Sequence, residues 1–117
     1  MVDYKVQVYT GTKRGSGTDA NVQINIYGSL GDTGIRMLSH STTHRNMFEA
    51  GHMDEFYIRA VDLGSLEKVR IGHDNSGAGP GWFLDKIVVE DPHSSKTYEF
   101  PCDRWLDKKE VRMALET

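Results

Sequence analysis

Apolar residues recur along this chain with a period of two. Tyr4, Val6 and Val8 alternate with Lys5, Gln7 and Tyr9, and Val22, Ile24 and Ile26 alternate with Gln23, Asn25 and Tyr27. That period sends one set of side chains to each face of an extended segment, as in a strand whose inner side rests on a core. The same pattern predicts strands around Phe56, Ile58 and Ala60, around Val69 and Ile71, around Ile87 and Val89, and around Tyr98 and Phe100. A short strand is expected near Ile35 to Leu38 and a last one near Val111 to Leu115. Turn-forming residues separate them: Gly28 to Gly34, Gly51 to Asp54, Asp62 to Gly64, and Asp91 to Ser95. About eight short strands with no helical period predict an all-β fold, an eight-stranded antiparallel β-sandwich. Parallel pairing would need crossover helices, which the pattern lacks. Neither an internal repeat nor a linker interrupts residues 1–117, so a single domain is expected.

Composition narrows the function classes. With 117 residues, 38% of them hydrophobic, the chain can build one core without covalent staples. A formal charge of -3 argues against a nucleic-acid surface, which needs clustered Lys and Arg. The single cysteine, Cys102, excludes an internal disulfide, and no Asn-x-Ser/Thr sequon occurs, so a cytoplasmic or nuclear setting is expected rather than a secreted one. No stretch approaches the ~18 apolar residues of a membrane span, so any membrane contact is expected to be peripheral.

Two glycine-rich loops with an adjoining acid hold the candidate chemistry: Gly11 to Ala20, with Asp19, and Gly72 to Gly81, with Asp74. Uncovered backbone carbonyls beside a carboxylate are the oxygen-rich surroundings that calcium takes. The same residues also build turns, because Asp and Asn side chains accept backbone N–H groups and tolerate a left-handed backbone. Both readings stand for Asp19 and for Asp74-Asn75. The five histidines are scattered, and His40 and His44 have helical spacing without a helix, so no zinc or hydrolytic site is expected. Cys102 follows Pro101 after an apolar strand and reads as a small hydrophobe, and Trp82 as a core residue. No nucleophile elbow or phosphate loop is present, so the chain is not expected to be an enzyme.

Six separated motifs then carry a resemblance: Tyr4 to Gly11, Gly17 to Val22, Phe48-Glu49-Ala50-Gly51, Asp54-Glu55-Phe56, Gly81 to Asp85, and Phe100 to Trp105. In that order, and over nearly the whole chain, they resemble the PLAT domain, also called the lipoxygenase homology or LH2 domain. The resemblance implies a C2-like sandwich that binds lipid headgroups or proteins, often with calcium at loops on one end. The family's calcium loops correspond to Gly17, Thr18 and Asp19 and to Asn46, Met47, Phe48 and Glu49, with Asp74 a secondary ligand candidate. Met47 departs from the aspartate of strong sites, and a thioether is a poor ligand for a hard ion. Glu49 has a second reading as the surface partner of Arg45. Trp105 stands where family members contact membranes, while Lys13 and Arg14 replace a loop-tip aromatic and favour attraction to anionic headgroups. Ala60 to Gly64 and Ile71 to Gly77 most resemble a tandem-repeat branch of the family found in inner-ear stereocilia. That likeness implies one repeat of a longer chain, with neighbouring repeats among its partners. Calcium-independent protein docking, as a scaffold repeat, is the alternative function.

Overall fold

The computed structural model describes residues 1–77, 81–107 and 112–117. Their elements are β1 (Val2–Thr10), β2 (Val22–Gly28), β3 (Gly31–Asp32), β4 (Arg36–Met37), β5 (Met53–Ala60), β6 (Leu66–His73), β7 (Trp82–Asp91), β8 (Lys96–Leu106) and β9 (Arg112–Glu116). One sheet runs β5-β1-β7-β8 and the other β3-β2-β6-β9, with β4 also on β2, and every pairing is antiparallel. Among the described residues there is no helix, and the class is the all-β sandwich that the period of two predicts. The strand count is higher than expected because a two-residue strand, β3, lies inside the stretch that reads as a turn from Gly28 to Gly34. The turn expected over Gly51 to Asp54 ends earlier: β5 begins at Met53, and Asp54 is an inward strand residue. Val111, where the last strand was expected to start, lies outside the described residues, as does Ala78 to Pro80 of the second glycine-rich loop.

Alternation becomes burial. On β1 the residues Tyr4, Val6 and Val8 are fully buried, opposite Ile58, Phe56 and Asp54 of β5. Ile24 and Ile26 of β2 and Val69 and Ile71 of β6 close the core from the second sheet. Each large apolar side chain removed from water contributes about 1.5–3 kcal/mol. β7 keeps both Trp82-Leu84 and Ile87-Val89 inward only because Asp85 bulges out of register against β1 and β8. The buried Trp82 indole N–H finds its acceptor in the Thr10 hydroxyl, 3.0 Å away. Cys102 is half-buried, with its sulfur 3.7 Å from that of Met113, and burial pushes its thiol up.

The free edge of β5 is covered by a backbone amide and two side chains rather than by a strand. Thr42 N–H donates to the Glu55 carbonyl at 2.7 Å, the Thr43 hydroxyl donates to the Met53 carbonyl, and Arg36 donates to the Arg59 carbonyl. This blunts an edge that would otherwise template another chain, and it lays residues 42–44 beside the start of β5.

At the opposite end of β1 the buried Tyr4 hydroxyl accepts the Leu63 N–H at 2.8 Å, tying the 61–65 loop to the core. Tyr4→Phe leaves that buried N–H without an acceptor. We expect a loss of about 1–2 kcal/mol, read as a lower urea midpoint with unchanged slope; an unchanged midpoint would show that water satisfies the amide.

Candidate functional site

The end of the sandwich where β1 finishes and β2, β5 and β7 begin gathers the loops 11–21, 45–52 and 74–77. Gly17 is the closest point between the first two, for a Cβ there would stand 2.7 Å from the Phe48 carbonyl oxygen. Thr18 N–H donates to that same carbonyl at 3.0 Å. Phe48 itself holds a left-handed backbone, φ 60°, unusual for a residue with a large side chain. Its ring is buried between Phe56, 5.8 Å away, and Trp82, 5.4 Å away edge-on. Its N–H donates to Oδ2 of Asp54 at 2.8 Å.

The other oxygen of Asp54, Oδ1, is buried and has no hydrogen-bond donor among the described residues. His44 Nδ1 stands 3.5 Å from it, and the His44 ring lies flat on His52 with centroids 4.1 Å apart. The fold stacks His44 on a histidine from the end of the same loop, which its sequence spacing did not single out. Parallel imidazoles do not aim their lone pairs at one ion, and among the described residues no three His, Cys, Asp or Glu side chains are placed to hold a metal.

The expected ligand residues of the first two loops do come together. Gly17, Asp19 and Glu49 line an open groove of about 440 Å³ with Gly15, Ala50 and Trp105. Thr18, Asp19 and Asn46 line a neighbouring hollow of about 180 Å³ with Arg45 and Met47, so Asp19 stands between the two. The Asp19 side chain is exposed and accepts no hydrogen bond from the described residues. Glu49 accepts one from the Asn46 amide and forms no ion pair with Arg45. Two carboxylates, a side-chain amide and backbone oxygens fit a hard cation in kind. Arg45 opposes it in charge, and Met47, which lines the hollow and packs partly against the core, offers only a thioether.

Asp74 is placed differently. Its Oδ1 accepts Asn21 N–H at 3.0 Å, Ser76 N–H at 3.1 Å and the Ser76 hydroxyl, while Oδ2 accepts the Asn21 amide at 2.8 Å. These donors, Ser76 and Asn21 first, hold its carboxyl well below the usual carboxylate range. The carboxylate braces the third loop onto the first. Gly77, at φ 83°, completes the contact, since a Cβ there would sit 2.9 Å from the Asp19 Cβ. His73, buried beside it, accepts Asn75 N–H on Nδ1, so its proton rests on Nε2 and is donated to the Leu106 carbonyl.

Trp105 is 44% exposed, stands edge-on to Phe83 at 5.4 Å and faces the groove of Asp19 and Glu49. Arg14 is exposed near the tip of the first loop, while Lys13 lines a separate groove with Asp85 and Asp103. Sequence reasoning missed Asp54 and the Phe48 peptide as the parts that join the loops. One signal was available for Asp54: it shares the parity of Phe56, Ile58 and Ala60, which places an acid on the inner face.

The PLAT/LH2 domain family model matches residues 4–115. The chain is 46% identical over 107 residues to Lipoxygenase homology domain-containing protein 1 of Homo sapiens, covering 92% of this chain and 5% of that protein. A coral 8R-lipoxygenase, whose structure is described as showing calcium activation via a C2-like domain, superposes with a TM-score of 0.85 at 31% identity. That match covers 97% of this chain and 16% of the coral one. A calcium-dependent 11R-lipoxygenase superposes with a TM-score of 0.75 at 30% identity, over 99% of this chain and 17% of that enzyme. The chain thus spans a small part of each relative's length.

The bracing role of Asp74 has a pH signature. A carboxyl held below its unfolded value of ~3.9 contributes stability that is complete above that pH and is lost as pH falls through it towards the folded value. In Asp74→Asn the melting temperature should therefore fall less steeply than in the wild type between about pH 4 and about pH 2. Equal slopes would mean that the hydrogen bonds around Asp74 do not favour its ionised form.

Proposed function

The chain belongs to the PLAT/LH2 domain family, and on that premise we propose that it is a non-catalytic binding module that attaches a larger protein to a membrane surface or protein partner through calcium-organised loops. The observation that carries this reading is Asp19: an exposed carboxylate that accepts no hydrogen bond from the described residues and lines one hollow with Asn46 and a second groove with Glu49 and the half-exposed Trp105. Gly17, Thr18, Asp19, Asn46 and Glu49 would hold the ion, and Asp74 would keep the third loop braced against them. Calcium there supplies positive charge and coordination positions for phosphate or carboxylate oxygens.

The chain's own residues do the rest. Trp105 offers an amphipathic ring to a headgroup layer, and Arg14 and Lys13 add attraction of ~1 kcal/mol each near an anionic leaflet. In this reading the domain is one repeat among neighbouring repeats, peripheral to a membrane in the cytoplasm, and in the stereocilium by its likeness to the tandem-repeat branch. A second reading, calcium-independent docking to a protein, is favoured by one observation: Arg45 and Met47 occupy the hollow where further carboxylates would strengthen a cation site.

Calorimetric titration with calcium separates the two. The wild type should release or absorb heat at or below millimolar calcium, and Asp19→Ala should weaken affinity about tenfold or more while its melting temperature in chelator stays unchanged. Sedimentation with phosphatidylserine vesicles should then depend on calcium and be lost in chelator. No heat at millimolar calcium removes the calcium reading and moves the weight to docking.

A further inference from the structure

Both ligand loops meet at one peptide group, and that peptide is held from beneath by a carboxylate with no contact to solvent. Asp54 is 0% exposed. Burying a carboxylate is costly, and a single backbone donor with an imidazole at 3.5 Å compensates it only in part. Stability alone does not call for such a group: an apolar residue at this inward position would continue the face of Phe56, Ile58 and Ala60. An acceptor is needed here for Phe48. With a left-handed backbone and its ring anchored in the core, Phe48 turns its N–H inward to Asp54 and its carbonyl outward to Thr18.

We propose that Asp54 is the positioning residue of this loop end. Through the Phe48 peptide it sets the first loop, with Thr18 and Asp19, against the second, with Asn46 and Glu49, so that the two form one rigid cup before any ion or partner arrives. The neighbouring contacts act in the same sense. His52 N–H donates to the Glu49 carbonyl and Thr10 N–H to the His52 carbonyl, fixing the far side of the second loop to β1. Gly17, which has no room for a side chain against the Phe48 carbonyl, lets the first loop close down. Preorganisation of this kind raises affinity by removing the ordering cost from the binding step. The inference rests on the calcium reading for its consequence, and on the hydrogen-bond chain alone for its mechanism.

The test uses amide hydrogen exchange in chelator and calcium titration on Asp54→Ala, Asp54→Asn and, as a control, Tyr4→Phe, which removes a buried acceptor at the other end. In Asp54→Ala the Phe48 and Thr18 amides should lose protection about tenfold beyond the global loss, and calcium affinity should fall about tenfold, the range of residues that orient ligands from behind. Asp54→Asn, which keeps an acceptor, should restore most of both. Tyr4→Phe should move neither beyond its global effect. Equal loss of Thr18 protection in Asp54→Ala and Tyr4→Phe, or no loss in Asp54→Ala, overturns the proposal. If Asp54→Ala does not fold, the wild type decides: Phe48 and Thr18 should open in one step with equal protection, and a Thr18 amide that opens independently of Phe48 overturns it. Absence of calcium heat leaves the exchange result to stand or fall by itself.

Discussion

The constraint from which the rest of this loop end follows is the conflict at Phe48. Its ring belongs in the core, stacked near Phe56 and edge-on to Trp82, while its backbone must turn left-handed to put the ring there. A non-glycine residue in that region costs of the order of 1–3 kcal/mol, and burying the phenyl ring returns about as much. The conformation persists because both polar groups of the residue are occupied, the N–H by Asp54 and the carbonyl by Thr18. Loop placement is thereby tied to core packing, and the ligand candidates inherit the rigidity of the sandwich.

The two glycine-acid loops divide the work through their carboxylates. Asp74 accepts four hydrogen bonds and serves as a brace between loops. Asp19 accepts none from the described residues and faces the groove. A carboxylate whose acceptor positions are filled has little left to offer a cation, whereas an open one beside backbone oxygens does. Elsewhere, cross-strand charges on the outer face of the first sheet pair with one another, Arg59 with Asp3 and Lys86 with Glu99, each at 2.9 Å. Exposed to water and salt, such pairs contribute little to stability.

The sequence by itself determined the strands, the sandwich and the family, because alternation is a local property that maps directly onto the two faces of a strand. Tyr4-Val6-Val8 and Val22-Ile24-Ile26 face the core as their spacing requires, and Trp82 is buried as its apolar setting suggests. It also named the loops that meet. Only the tertiary structure decided which acid does what, because that depends on donors distant in the chain: Asn21 reaches Asp74 across 53 residues, whereas no donor among the described residues reaches Asp19. The pairing of His44 with His52, the two-residue strand β3 and the turn of the Phe48 peptide between Asp54 and Thr18 are likewise products of packing. Periodicity fixes which face a side chain takes; which partner it meets there is settled when the two sheets and three loops close on one another.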